Sequence, residues 1–248
     1  MRKYDHLFFD LDNTLWDFDV NGRLALQQAV RSLNLEGRIA DFGSFYTFFD
    51  QVNTRLWESY RNQEIRHSQL TRNRFEIIIG HFHLSGADPE KLNALYLQWM
   101  PAFTNLVEGA LETLSDLRAK GYRLHIITNG PDKVQRQKVY NSALAPYIER
   151  ITTSEEVEAP KPDKRIFQHA LKSCNARKKK SLMIGDNWET DILGAMQMGI
   201  DHVFFIRNNS SQTLPDGKEP PRPGATSSVR TTAKLSVIRK LTDLTRIL

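Results

Sequence analysis

The stretch Phe8-Phe9-Asp10-Leu11-Asp12-Asn13-Thr14-Leu15 is an apolar run that ends in two carboxylates two residues apart. Runs of this kind near a terminus form buried strands. A buried strand carries acids only where they sit at its end and meet a partner. Side chains two apart on an extended segment point to the same side, so Asp10 and Asp12 face one site together. Two carboxylates held close resist ionising together, and a divalent cation relieves that conflict. Taken alone, the same residues also read as a strand ending in an acidic turn, with Asn13 and Thr14 as turn or capping residues.

Outward from this stretch the chain changes rhythm twice. Leu24, Leu26, Ala29, Val30 and Leu33 recur at helical spacing, as do Phe45, Phe48, Phe49, Val52 and Leu56. Segments 75–82 and 92–100 add two more helices, with Gly86-Ala87 and Asp88-Pro89 as punctuation. After Leu106 strands and helices alternate. A helix over 110–120 stops at Gly121, and a strand over 123–128 turns at Asn129-Gly130 into a helix with Pro131 in its first turn. Strands over 148–153, 181–185 and 202–206 then interleave with helices over 163–174 and 189–198. That alternation implies right-handed crossovers and a parallel sheet covered on both faces. The reading is an α/β, Rossmann-like parallel-sheet core built from residues 1–15 and 106–248, with a four-helix domain over 16–105 inserted after the first strand. Asn208–Ser228, rich in Pro, Ser, Asn and Gly, reads as a loop, and 234–247 as a closing helix.

The bulk properties narrow the classes. With 248 residues, 40% of them hydrophobic and 25% charged, the chain has ordinary globular composition and can bury a substantial core. No stretch approaches the roughly 20 apolar residues that span a bilayer, and the acids at positions 10 and 12 interrupt any signal-peptide run. The single cysteine, Cys174, excludes an intramolecular disulfide and a multi-cysteine zinc site, so a reducing cytoplasm is the expected setting. A net charge of +5 suits a small anionic substrate without demanding nucleic acid. The basic run Arg177-Lys178-Lys179-Lys180 reads as a solvated connection ahead of a strand.

In an open parallel sheet, ligands bind at the carboxyl ends of strands. Asp10 and Asp12 end the first strand, Thr128 ends the second, and Gly185-Asp186 ends a later one, so these polar groups should converge. Four separated elements, Asp10-Leu11-Asp12-Asn13-Thr14, Thr128-Asn129-Gly130, Lys161-Pro162 and Gly185-Asp186-Asn187-Trp188-Glu189-Thr190-Asp191, resemble in order the four motifs of the haloacid dehalogenase-like hydrolases. The insertion point resembles members whose helical cap lies between the first and second motifs. The resemblance implies phosphoryl transfer. Asp10 would attack phosphorus and form an aspartyl-phosphate, and Asp12 would protonate the leaving oxygen and then activate water. Thr128, with backbone N–H groups of Leu11, Asp12 and Asn129, would bind phosphate, and Lys161 would neutralise phosphate and nucleophile. Mg2+ would be held by the Asp10 carboxylate, the Asp12 carbonyl and Asp186, with Asp191 close by.

The helical insert holds more than half of the chain's Phe, Trp and Tyr residues. Aromatics at helical spacing are usually core, yet Phe18, Phe45 and Phe49 stand as candidates for substrate contact. Two places depart from the family pattern: Val107-Glu108-Gly109, where many relatives carry a proline before the glycine, and Trp188, where smaller or polar residues are common. Asp12 argues against a dehalogenase, and Lys91 as the lone lysine of the helical segments against a phosphonatase. The Asp10–Asp12 pair also fits a sugar-phosphate phosphatase or phosphomutase. A non-catalytic binding protein of this fold would have no need for Asp10, Asp12, Lys161 and Asp186. The overall resemblance is to nucleotidase-like phosphatases, including those acting on pyrimidine nucleoside monophosphates. The expected partner is therefore a small phosphorylated metabolite, with no nucleic-acid polymer and no membrane, and the chain is expected as a monomer or homodimer.

Overall fold

The computed structural model describes residues 2–207 and 234–248. The chain divides into two compact units, one from Met1–Asp17 and Thr104–Leu248, the other Phe18–Phe103.

In the first unit, strand β1 (His6–Phe9) is buried along its whole length and pairs in parallel with strands on both sides. The second unit then supplies α1 (Phe18–Ser32), α2 (Phe42–Arg61), α3 (His67–His81) and α4 (Pro89–Trp99). The chain then returns through α5 (Ala110–Ala119), β2 (Arg123–Thr128), α6 (Asp132–Asn141), β3 (Ile148–Thr153), a single turn α7 (Ser154–Val157) and α8 (Lys164–Ser173). It continues through β4 (Ser181–Gly185), α9 (Leu193–Met198), β5 (Asp201–Phe205), β6 (Leu235–Ile238) and a last turn α10 (Leu244–Ile247). Among the described residues the strands form one six-stranded parallel sheet in the order β3-β2-β1-β4-β5-β6. The chain builds outward from β1 to β3, then crosses back to place β4 on the other side of β1. That reversal opens a crevice at the carboxyl ends of β1 and β4, where open α/β sheets bind ligands. One sheet face is closed by Phe8, Ile127 and Met183 against Ile166, Phe167 and Ala170 of α8 and Ala195 and Met198 of α9.

Two expectations are corrected in this unit. The segment from residue 234 does not form a continuous helix: Leu235–Ile238 is a strand beside β5, with Phe205 opposite Ile238. Pairing with β5 and burial of Leu235 and Val237 against Phe204 outweigh the local helical spacing. The helix expected over 189–198 begins instead as a wide turn, Trp188–Ile192, in which the Leu193 N–H reaches the Trp188 carbonyl five residues back. Such π turns recur at functional sites. Trp188 packs edge-on against Phe204, 5.4 Å between ring centroids. The loop expected over Asn208–Ser228 lies outside the described residues.

The second unit consists of α1 to α4. Asp41 caps α2 by accepting from the Gly43 and Ser44 N–H groups, and Asp88 caps α4 the same way ahead of Pro89. The core is aromatic: Phe49 meets Phe75 and Tyr96, and Phe45 meets Phe42 and Phe82. Phe45 and Phe49 are 0% and 1% exposed, so both belong to this core and present no face for a substrate. That corrects their reading as substrate contacts. Phe18, half-buried, opens α1 with its ring alongside Gly22. No helix of the described residues is long and apolar enough to cross a membrane.

Candidate active site

The polar groups that end β1, β2 and β4 come together in the first unit. Asp10 directly follows β1, where its N–H donates to the Ile184 carbonyl at 2.8 Å and carries the β1–β4 ladder one residue further. Lys161 reaches this point from the loop before α8. Its Nζ donates to Asp10 Oδ1 at 2.5 Å and to Asp191 Oδ1 at 2.6 Å. The lysine is held by its own backbone: the Asn129 side chain accepts from the Lys161 N–H at 2.7 Å and donates to its carbonyl at 3.0 Å. Thus Asn129, one residue beyond β2, fixes the position of Lys161.

Asp186 follows β4 and exchanges two bonds with Thr14: the Thr14 hydroxyl donates to Asp186 Oδ1 at 3.0 Å, and the Asp186 N–H donates back at 3.1 Å. Asp191, fully buried in the wide turn, accepts from Lys161 and from the Thr190 hydroxyl at 3.2 Å on Oδ1, and from the Asn187 N–H at 3.1 Å on Oδ2. Gly185 is required here by close approach: a Cβ at that position would stand 2.2 Å from Asp191 Oδ2. Carboxylate oxygens of Asp10, Asp186 and Asp191 all lie within 4.8 Å of one another. Together with Asp12, four carboxylates face two ammonium groups, Lys161 and Lys138. An all-oxygen cluster with an excess of negative charge is the donor set a hard divalent cation takes.

The electrostatics follow from this imbalance. Burial pushes the Asp10 carboxyl up to about 7; Lys161 opposes that shift, while Asp191 and Asp12 add to it. Burial, reinforced by the Asp10 and Asp191 charges, raises Asp186 well above the carboxylate range. Burial alone would lower Lys161, but Asp10 and Asp191 outweigh it and hold the lysine above its ordinary value, so it stays protonated.

Asp12 meets a different set of donors. Lys138 Nζ donates to its Oδ1 at 2.6 Å and Gln135 Nε2 to its Oδ2 at 2.9 Å, both from α6. Gln135 Nε2 also donates to the Thr128 hydroxyl at 2.6 Å, and the Gly130 N–H does so at 3.3 Å. With two donors on its oxygen, Thr128 keeps its own proton to give. The backbone N–H groups of Leu11, Asp12 and Asn129 donate to no acceptor among the described residues. These are the donors an anion entering between β1 and β2 would meet.

The residues the motifs single out, Asp10, Asp12, Thr128, Asn129, Lys161, Asp186 and Asp191, thus lie in one connected cluster. Sequence reasoning missed Gln135 and Lys138. Their signal was available: on α6 they share a face with Val134 and Val139, the buried face of an otherwise polar helix.

Residues 4–199 match the haloacid dehalogenase-like hydrolase family. Pyrimidine 5'-nucleotidase YjjG of Escherichia coli is 32% identical over 219 residues, covering 88% of this chain and 92% of that protein. Pyrimidine 5'-nucleotidase PynA of Streptococcus pneumoniae is 30% identical over 203 residues, covering 82% and 84%. The crystal structure of the Bacillus subtilis HAD-hydrolase YfnB bound to magnesium superposes with a TM-score of 0.80 at 25% identity, covering 100% of this chain and 99% of that one. The chain is an enzyme, and it belongs to the haloacid dehalogenase-like hydrolase family.

Proposed function

We propose that this enzyme hydrolyses small phosphomonoesters, pyrimidine nucleoside 5'-monophosphates among the better ones, through a phosphorylated Asp10. The observation that carries the reading is the pair of separately partnered acids: Asp10 against Lys161, and Asp12, two residues on, against Lys138 and Gln135. In the first step an Asp10 carboxylate oxygen attacks phosphorus, the ester P–O bond breaks, and the departing oxygen takes a proton from the Asp12 carboxyl. In the second, water attacks phosphorus, its proton passes to the Asp12 carboxylate, and the Asp10–phosphorus bond breaks to release phosphate. Lys161, the Thr128 hydroxyl and the Leu11, Asp12 and Asn129 N–H groups stand against the phosphoryl oxygens as charge gathers there.

Asp10 and Asp186, with the Asp12 carbonyl, are the residues that would hold Mg2+. Asp191 already gives both oxygens to Lys161 and Asn187, which suits an outer position. Magnesium, when bound, supplies positive charge beside the transferring phosphoryl group. The magnesium-bound YfnB structure supports the assignment of the ion, and the two nucleotidase relatives support the substrate. A small phosphorylated metabolite as sole partner and a cytoplasmic setting go with this reading.

The test is phosphate release from a panel of nucleotides and sugar phosphates with Mg2+, with Asp10→Asn as control. Wild-type turnover with loss in Asp10→Asn is expected. Unchanged turnover in Asp10→Asn refutes the nucleophile. A kcat/KM for sugar phosphates tenfold above every nucleotide overturns the nucleotide assignment and leaves the phosphatase.

A further inference from the structure

We propose that Gln135 and Lys138 are positioning residues that fix the Asp12 carboxylate for proton transfer to the leaving group. The inference rests on the acid role of Asp12 given above. The two side chains stand three apart on α6 and engage different oxygens of the same carboxylate, Lys138 at Oδ1 and Gln135 at Oδ2. Two donors on two oxygens fix both the position and the plane of a carboxylate, and each oxygen keeps a lone pair for a proton or a substrate atom. Gln135 ties the arrangement to Thr128 through the same Nε2, so acid and phosphate donor share one anchor.

Packing does not explain these residues. Lys138 is 2% exposed and Gln135 fully buried. Burial pushes the Lys138 ammonium down in pKa, with Asp12 and Asp10 opposing, so placing it there works against its charge. Gln135 Oε1 has no partner among the described residues, which costs a buried polar atom about 1–3 kcal/mol. A leucine and a methionine would fill the same volume without either cost. The surroundings are shaped to the pair as well. The Trp16 ring lies 4.2 Å from Lys138 Nζ, and a Cβ at Gly130 would stand 2.5 Å from the Gln135 amide carbon. The glycine of Thr128-Asn129-Gly130 is therefore the seat of the glutamine side chain.

Leaving-group dependence separates positioning from structural support. p-Nitrophenolate departs from its phosphate ester without a proton, whereas the alkoxide leaving oxygen of an alkyl phosphate such as a nucleoside 5'-monophosphate needs one. The ratio of kcat/KM for the alkyl ester to that for the aryl ester does not depend on the fraction of enzyme that is folded, and kcat/KM ends with leaving-group departure. Lys138→Met and Gln135→Met are each expected to lower this ratio about tenfold or more, within the range general acid catalysis supplies. Asp12→Asn should lower it further, and Lys138→Arg, which keeps a cationic donor, should recover part of it. If Asp12→Asn lowers the ratio while Lys138→Met and Gln135→Met leave it at the wild-type value, the positioning role is overturned and the acid role stands. If Asp12→Asn itself leaves the ratio unchanged, the acid role is overturned and the positioning role with it.

Discussion

The buried imidazole of His125 ties the stability of the α/β unit to pH. His125 lies within β2, 1% exposed, with its Nε2 3.0 Å from His6 Nδ1 on β1 and its Nδ1 3.4 Å from Cys174 Sγ at the end of α8. Its ring lies 5.0 Å from that of Phe8. Burial pushes it down to about 4; His6 and the Arg123 and Arg118 charges act in the same direction, and Glu149 opposes them. In the unfolded chain the residue titrates near 6.5. Below that value the unfolded state takes up a proton that the folded state refuses. The contribution is therefore fully present above about pH 6.5 and is lost as pH falls toward 4. A shift from 6.5 to about 4 corresponds to roughly 3.4 kcal/mol in the acid limit, and about 2.5 kcal/mol of it falls between pH 7.5 and 4.5. His125→Phe keeps a ring beside Phe8 and removes the proton site, at the cost of the bonds to His6 and Cys174, about 1–2 kcal/mol at neutral pH. Hydrogen exchange at the β2 amides, corrected for intrinsic rates, reports the opening of this unit. The wild type should lose about 70-fold more protection than His125→Phe between pH 7.5 and 4.5. Parallel loss in the two proteins would show that His125 is not held neutral, and the argument from burial fails.

Other perturbations test the site and the helical unit. Asp186→Ala should raise the Mg2+ concentration for half-maximal activity at least tenfold and Asp191→Ala much less, because both Asp191 oxygens are already engaged; the reverse ranking reassigns the ligand. Gly185→Ala drives a Cβ to within 2.2 Å of Asp191 Oδ2, so Lys161 loses one of its two anchors. Activity should fall on the order of 100-fold with secondary structure by circular dichroism unchanged, as a displacement of about 1 Å at a reacting centre does; full activity would refute the anchoring role. Arg74, buried in the helical unit, donates to Asn53 Oδ1 at 2.9 Å and Asn93 Oδ1 at 2.6 Å. Arg74→Met leaves both acceptors unpaired and should destabilise that unit by about 2–3 kcal/mol in urea unfolding; a change under 0.5 kcal/mol, the scale of an ordinary surface substitution, would contradict it.

What was legible in the sequence was whatever is local. The first five strands of the parallel core announced themselves by short apolar runs, and Asp10, Thr128 and Asp186 by their places at strand ends. The closing strand was hidden because Leu235, Ile238, Leu241 and Leu244 also satisfy helical spacing, and only the edge of β5 decides between the two. The wide turn at Trp188–Ile192 was hidden because its cause is the buried Asp191 carboxylate reaching Lys161, 30 residues earlier in the chain. Phe45 and Phe49 misled in the opposite sense: a helical stripe of rings reads the same whether it lines a core or a pocket, and burial by Phe75, Tyr96 and Phe82 settles it.

The partners that balance each acid were legible least of all. The motif resemblance implies a different role for each of Asp10, Asp12, Asp186 and Asp191, but not the group that sets its charge. Those groups come from distant parts of the chain. Asp10 faces Lys161, with burial raising its pKa to about 7, and is the acid that a neighbouring cation would return to the nucleophilic form. Asp191 has both oxygens taken up in holding that lysine. Asp186 receives one neutral hydroxyl on Oδ1, which leaves it the member of the cluster with most capacity for a metal. Asp12 is turned away to a separate lysine and a glutamine on α6, so the charge that compensates it is not the charge that serves phosphate. On the proposed mechanism, separate counterions let Asp12 take up and release its proton without drawing Lys161 away from Asp10. A single lysine shared by both acids would couple every proton transfer to the loss of phosphate neutralisation.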